Sequence, residues 1–412
     1  MAVVTVEEAL QLWDEALQTQ VHKVETIDVK AAKGYVLAED IIAPTDVPAF
    51  SKSAMDGYAI AFSADCNEYI VDGVIGAGVV WEQPVTLGHA VRIMTGAPIP
   101  DTCDTVIMQE QVVGSGEPGT TITIQGKYKC GDHIIPQGEE CSAGTIVIPR
   151  GTEVTSTVQT VLTGLGLTAV AVNAMPRVLV LTSGHEVIEP GESLTAGKIY
   201  NSNRAMICGL LEDLGFHKIT HYHVSDAPEE LESEINHVLQ LSEDADIIIS
   251  SGGVSVGLFD TMPLIYEKLG AKSIYERIQM RPGAASYGAV TPKGQIIFGL
   301  SGNPGAAFNG WHLIVAPTLK RYKGLKNWTT PVVACVMDSE IFKRNAFDRY
   351  VQGKVIFGGG APRFVANRHF NSSSSMLGLY TVNALACIPR GVHEVHPGDT
   401  FDVYLLGLLP AV

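Results

Sequence analysis

Residues 177–186 read Arg177-Val178-Leu179-Val180-Leu181-Thr182-Ser183-Gly184-His185-Glu186, an apolar run that stops at small polar residues and a glycine. An apolar stretch with no polar alternation describes a strand buried on both faces, as in parallel sheets. The pattern recurs twice. Asp246 to Ser250 runs into Ser251-Gly252-Gly253-Val254-Ser255-Val256-Gly257, and Ile296 to Leu300 runs into Ser301-Gly302-Asn303-Pro304-Gly305. Ile219 to Val224 and Ile274 to Met280 supply two further strands, with helices expected over Ser202 to Leu214, Pro228 to Leu241, Thr261 to Leu269 and Pro304 to Lys323. This alternation predicts an α/β domain over 177–325, doubly wound on a mostly parallel sheet.

Ligands of such sheets bind beyond the carboxyl ends of the strands. Glycines there let backbone amides approach an anion, and a helix starting at Pro304 would add its positive end. Ser183, Gly184, Ser251, Gly252, Gly253, Ser255, Ser301, Gly302 and Asn303 are thus the expected binding residues for a phosphate-bearing small molecule. One such loop could be an ordinary tight turn; three on one edge argue for a ligand. Asp260 and Glu186 each admit two readings, a local cap or a ligand for a hard cation such as Mg²⁺, which uses one or two carboxylates beside substrate phosphates.

On the amino-terminal side, Thr5-Val6-Glu7-Glu8 offers a capping box, and Val6, Leu10, Trp13 and Leu17 recur on one face of a first helix. Between Ile41 and Ile148, short β-rich runs alternate with Gly and Pro, which predicts an all-β insertion. A second helix is expected over Thr155 to Leu167, and Pro331 to Val412 returns to short strands and turns. The expected organisation is a helical part from 1–45 with 143–176, a β-rich insertion over 46–142, the α/β domain over 177–325, and a C-terminal β domain over 326–412. Within the insertion, Ser53-Ala54-Met55-Asp56-Gly57-Tyr58-Ala59 sets a carboxylate in a turn-like run, and Met94-Thr95-Gly96-Ala97-Pro98-Ile99-Pro100 continues into Asp104 and Glu110. An Asx turn is the plain reading of Asp56.

The composition, 46% hydrophobic and 17% charged over 412 residues, is that of a globular multidomain chain. A formal net charge of −16 argues against general nucleic-acid binding, which needs clustered Lys and Arg. No apolar run approaches the roughly 20 residues of a membrane span, and no secretory leader is visible, so a cytoplasmic location is expected. The seven cysteines show no C-x-x-C pair and no zinc spacing with histidine.

Taken together, the segments S-A-M-D-G-Y-A at 53–59, M-T-G-A-P-I-P at 94–100, I-Y-N-S-N at 199–203, S-S-G-G-V-S-V-G at 250–257 followed by Asp260, and G-L-S-G-N-P at 299–304 make the chain resemble the MoeA family of molybdopterin molybdenumtransferases, which includes the catalytic half of gephyrin. The match runs nearly end to end. The resemblance implies a four-part, elongated subunit ending in a small β-barrel-like domain. It also implies a homodimer in which the insertion of one subunit leans over the α/β site of the other. Its substrates would be adenylylated molybdopterin and molybdate, with Mg²⁺ assisting and AMP released, and other proteins of molybdenum cofactor synthesis would be further partners. By position, Asp56, Thr95, Glu186 and Asp260 match family residues important for activity, the carboxylates being potential Mg²⁺ ligands. Residues 251–253 and 302–303 would hold phosphate, with Arg349 and Ser373 near the oxyanion.

The chain also departs from the family. Where Lys-Pro-Gly-Lys-Pro is usual it has Arg281-Pro282-Gly283-Ala284-Ala285, keeping one cation as a guanidinium and losing the other. His185 replaces a common Asp, Ser301 a Pro, Ile135 a frequent Arg and Glu140 a frequent Asp; Cys103 stands where alanine is common. These changes admit an alternative, a divergent paralogue that serves as a non-catalytic molybdopterin scaffold or carrier, or that uses another oxyanion such as tungstate.

Overall fold

The computed structural model describes residues 3–253, 261–342, 346–367 and 372–407. Ser255 and Asp260, singled out from sequence, lie outside them. The chain divides into two compact units, one of residues 1–38, 151–159 and 169–412, the other of residues 39–150 and 160–168.

The larger unit is organised around a six-stranded sheet in the order Ile219–Val224, Val178–Ser183, Ile247–Ser251, Ile296–Leu300, Tyr287–Val290, Lys272–Tyr275. The first four strands are mutually parallel and only Tyr287–Val290 runs against the rest, Lys272–Tyr275 again pointing the same way as the first four, which gives the expected mostly parallel sheet. Val178–Ser183 and Ile247–Ser251 are buried along their whole length, as their unbroken apolar sequence requires. One apolar layer covers each face: Ile207, Leu211, Phe298, Trp311 and Ile314 on one side, Leu179, Ile248, Ile265 and Ile297 on the other. The first helix, Val6–Leu17, begins at the predicted capping box, with Thr5 Oγ accepting from the Glu8 amide and the Glu8 carboxylate accepting from the Thr5 amide. Its Trp13 is fully buried, 4.7 Å from the Phe298 ring. Removing such an indole costs about 3–5 kcal/mol. Val6 and Leu17 share that buried face, whereas Leu10 is only half-buried and Ala9 takes the contact.

The expected strand over Ile274 to Met280 is not one strand. Lys272–Tyr275 belongs to the central sheet, Arg277–Ile278 pairs with Val3–Val4, and Met280–Arg281 pairs in parallel with Asp348–Ile356 of the C-terminal sheet. In that sheet Asp348–Ile356, Arg363–Ala366, Val332–Met337, Thr400–Leu405 and Ala384–Ile388 pair in turn and close on themselves, since the last also pairs with the first. The predicted helix from Pro304 is present as Pro304–Gly310, a π-helical turn at Trp311–Val315, and Ala316–Tyr322.

The smaller unit carries a six-stranded sheet in the order Thr105–Met108, Gly57–Ile60, His89–Ile93, Glu68–Ile75, Thr121–Ile124, Val112–Val113. Gly57 must be glycine there, because a Cβ would fall 1.9 Å from the Ile107 carbonyl oxygen.

Candidate functional site

The strands Val178–Ser183, Ile247–Ser251 and Ile296–Leu300 are sheet neighbours, so their glycine loops meet at one edge. The approach is as close as backbones allow. At φ +89°, Gly252 would place a Cβ 2.5 Å from the Ser183 carbonyl oxygen; at φ +61°, Gly253 would place one 2.8 Å from Ser183 Oγ; Gly302 would place one 3.3 Å from the Gly252 Cα. Only glycine combines these positive φ values with such proximity.

Above the loops lies a cavity of about 850 Å³, lined by Ser183, Gly184, Glu186, Ser251, Gly252, Gly253, Ser301, Gly302 and Asn303 among others. Every described loop residue expected to bind ligand from sequence is thus brought to one place. The Glu186 carboxylate stands over Gly184, 2.8 Å from where a Cβ there would sit. Asp226 and Lys198 also line the cavity and were not foreseen. Asp226 accepts from the His185 amide at 3.0 Å, and Lys198 donates to the His185 carbonyl, so together they fix the loop that carries Glu186. The rule of inspecting the segment after each parallel strand finds Asp226 directly, once it is applied to Ile219–Val224.

Asn201 and Asn203, from the 199–203 segment, brace the cavity. Asn203 Nδ2 donates to Ser251 Oγ and to the Gly302 carbonyl, both at 2.8 Å, and so staples two of the loops. Its Oδ1 is buried without a partner among the described residues, an acceptor for a ligand N–H or O–H to satisfy. Asn201 caps the Ser202–Asp213 helix and donates to Thr182 Oγ and to Glu189, which also binds Arg204 at 2.6 Å.

The start of the Pro304 helix is more occupied than the sequence suggests. The Ala306 amide donates to the Ser373 carbonyl at 3.1 Å, and Gly305 packs against the 372–375 turn so closely that a Cβ would lie 3.0 Å from that same oxygen. The helix end anchors Ser373 rather than offering all its amides to a ligand.

A second cavity of about 510 Å³ adjoins the first, sharing Ala285, Ser301 and Asn303. Arg281, Arg349 and Ser373 line it, as does Arg277, and none of its described lining residues is a carboxylate. The register Arg281↔Arg349 sets two guanidinium-bearing residues on paired strands. Burial, and then the neighbouring Arg281 charge, hold Arg349 below the ordinary guanidinium range. Arg281 lies over the Phe347 ring at 5.9 Å. Like charges gathered in a pocket without described carboxylates suit an anion. Ala284 contributes no charge to it, but Arg277, overlooked in the sequence, does.

Asp56 and Thr95 stand together on the smaller unit. Asp56 Oδ1 accepts from both the Thr95 amide and its hydroxyl, each at 2.7 Å, and these bonds hold the carboxyl below its usual range. The local Asx turn is therefore replaced by a long-range tie to the 94–97 turn, and the second carboxylate oxygen has no hydrogen-bond partner among the described residues. No group of three or more His, Cys, Asp or Glu suited to a metal occurs among the described residues.

An α/β fold with glycine loops around a cavity at the carboxyl edge and a guanidinium pocket beside it has the features of a protein suited to two anionic groups side by side. Comparison with known proteins narrows this class. Residues 4–166 match the MoeA N-terminal region (domain I and II), and residues 179–321 match a probable molybdopterin binding domain. The chain is 35% identical over 390 residues to a molybdopterin molybdenumtransferase of Staphylococcus epidermidis, covering 92% of this chain and 90% of the relative. Against one from Staphylococcus aureus it is 34% identical over 387 residues, with the same coverage. The crystal structure of a molybdopterin biosynthesis MoeA protein from Pyrococcus horikoshii superposes with a TM-score of 0.80 at 25% identity, over 98% of this chain and all of that one (100%). The chain belongs to the MoeA family of molybdopterin molybdenumtransferases.

Proposed function

We propose that this chain inserts molybdate into adenylylated molybdopterin and releases AMP, as a step of molybdenum cofactor synthesis in the cytoplasm. The observation that carries the reading is the shared wall of the two cavities: a glycine cradle large enough for a pterin nucleotide opens beside a pocket of arginines suited to an oxyanion. Holding both reactants in fixed contact removes the entropic cost of their encounter. In this reading Ser183, Gly184, Ser251, Gly252, Gly253, Ser301, Gly302 and Asn303 hold the nucleotide and its phosphates, with Ser255 assigned alongside them from the sequence. Arg281, Arg349 and Ser373 hold the oxyanion close to the dithiolene. The protein orients the reactants and balances their charge; none of its side chains is required as a covalent nucleophile.

The residues present fit Mg²⁺, since the first cavity offers the hard oxygen of Glu186 and no described thiol or imidazole. Glu186 and Asp260, with Asp56 brought by a partner subunit in a homodimer, would hold the ion, which when bound supplies positive charge against the phosphates. Thr95 keeps Asp56 ionised and oriented for that role. Tungstate is the alternative oxyanion, and the missing cation at Ala284 is the feature that favours a weaker or non-catalytic, scaffold-like relative.

The test is to incubate the purified chain with adenylylated molybdopterin, molybdate and Mg²⁺ and follow AMP. Molybdate-dependent AMP release together with a molybdenum-loaded product supports the reading. Tight binding without AMP release would assign the scaffold role instead.

A further inference from the structure

Beneath the first cavity, three side chains converge on one hydroxyl. Thr182 Oγ lies 2.9 Å from His221 Nε2, 3.1 Å from His223 Nδ1 and 3.0 Å from Asn201 Nδ2. The register explains this convergence: Thr182 is directly opposite His223 on the neighbouring strand, and Val180 opposite His221, so both imidazoles share the threonine's face. Thr182 and Asn201 are both buried and both line the cavity.

A threonine hydroxyl has one proton to donate and two lone pairs. Asn201 uses one lone pair, and its orientation is fixed because its Nδ2 also donates to the Glu189 carboxylate while its Oδ1 accepts from the Arg204 amide. The remaining lone pair and the proton must serve the two imidazoles. One imidazole therefore presents N–H and the other a bare nitrogen, so the two cannot both be cations while all three bonds stand.

We propose that His221 and His223 are positioning residues of the substrate cavity, acting as a complementary tautomer pair that locks Thr182, and through it the Asn201–Asn203 corner, against the phosphate-holding loops. The inference rests on reading this cavity as the nucleotide site. The path is continuous: imidazole pair, Thr182, Asn201, then Asn203 with its two staples to Ser251 and Gly302. The charged and titratable groups facing His221 are Arg204, Glu189 and His223; burial and the Arg204 charge oppose its protonation, and Glu189 favours it. The neighbouring strand Val178–Ser183 carries no titratable side chain.

The experiment uses the full chain, labelled with ¹⁵N-histidine, and AMP as the binding probe. Wild-type protein should show opposite states at the two nitrogens that face Thr182, one carrying N–H and the other bare. Thr182→Val keeps the shape and strand propensity but removes the hydroxyl; it should mix the tautomers and weaken AMP binding about tenfold, whereas Thr182→Ser restores both to near wild type. His221→Gln, which returns an amide nitrogen near the Nε2 position, should bind AMP far better than His221→Leu. The same state at both facing nitrogens, or unchanged AMP affinity in Thr182→Val, overturns the proposal. If wild-type protein does not bind AMP, the nucleotide reading of the cavity fails and the imidazole signals alone decide: coupled tautomers retain the locked seam, independent ones remove it.

Discussion

The two cavities share a wall and are built from opposite materials. The larger is made mostly of backbone and small polar side chains, with Glu186, Asp226 and Lys198 as its charged lining. The smaller is made of three arginines with no described carboxylate. A backbone cradle suits a ligand whose charge is spread over phosphate and ribose and whose position matters, because glycine loops fix distance without competing side chains. A guanidinium pocket suits a compact, doubly charged oxyanion that must be held against water. In a chain of net charge −16, three arginines sharing one pocket reverse the overall sign of the charge locally.

The contrast can be broken from either side. Gly252→Ala should have the largest effect, since its Cβ meets the Ser183 carbonyl at 2.5 Å in a left-handed conformation. Strain of roughly 1–3 kcal/mol should weaken AMP binding by about ten- to a hundredfold, as read by calorimetry. Arg281→Ala should raise the KM for molybdate about tenfold and leave AMP affinity unchanged, because Arg281 lines only the second cavity. Ala284→Lys adds a partly exposed cation there, and a gain of about two- to fivefold in molybdate affinity is expected, shrinking as salt is raised.

The smallest effect is on pH. Burial lowers His221 to about 4 and His312 to about 3, from an ordinary 6.5. In the unfolded chain both take up protons near pH 6.5, while in the folded chain they stay neutral. Stability present above pH 6.5 is therefore lost as pH falls, through about 4 for His221 and about 3 for His312. Thermal unfolding across that range should show Tm falling with pH, and His221→Gln should flatten the upper part of the slope.

Much of the first cavity was legible in the sequence, because each of its loops follows an unbroken apolar strand and is written in glycine. The second was harder to read, for a physical reason. Arg277 and Arg281 sit in two-residue strands whose partners, Val3–Val4 and Asp348–Ile356, are remote in sequence. No local periodicity reports such pairing, so 274–280 reads as one strand. The antiparallel strand Tyr287–Val290 was missed likewise; its Gly288 is glycine because a Cβ would meet the Tyr275 ring at 2.5 Å. The tie from Ser373 to the Ala306 amide is equally invisible, since it joins two regions that have no shared pattern.

On the proposed reading the larger cavity takes the nucleotide and the smaller one the oxyanion. Parallel calorimetric titrations of AMP and of molybdate into wild-type protein and Arg349→Ala test it most directly. The variant should lose at least about tenfold in molybdate affinity while its AMP affinity stays at the wild-type value. Equal losses for both ligands, or molybdate binding that survives the substitution, would contradict it.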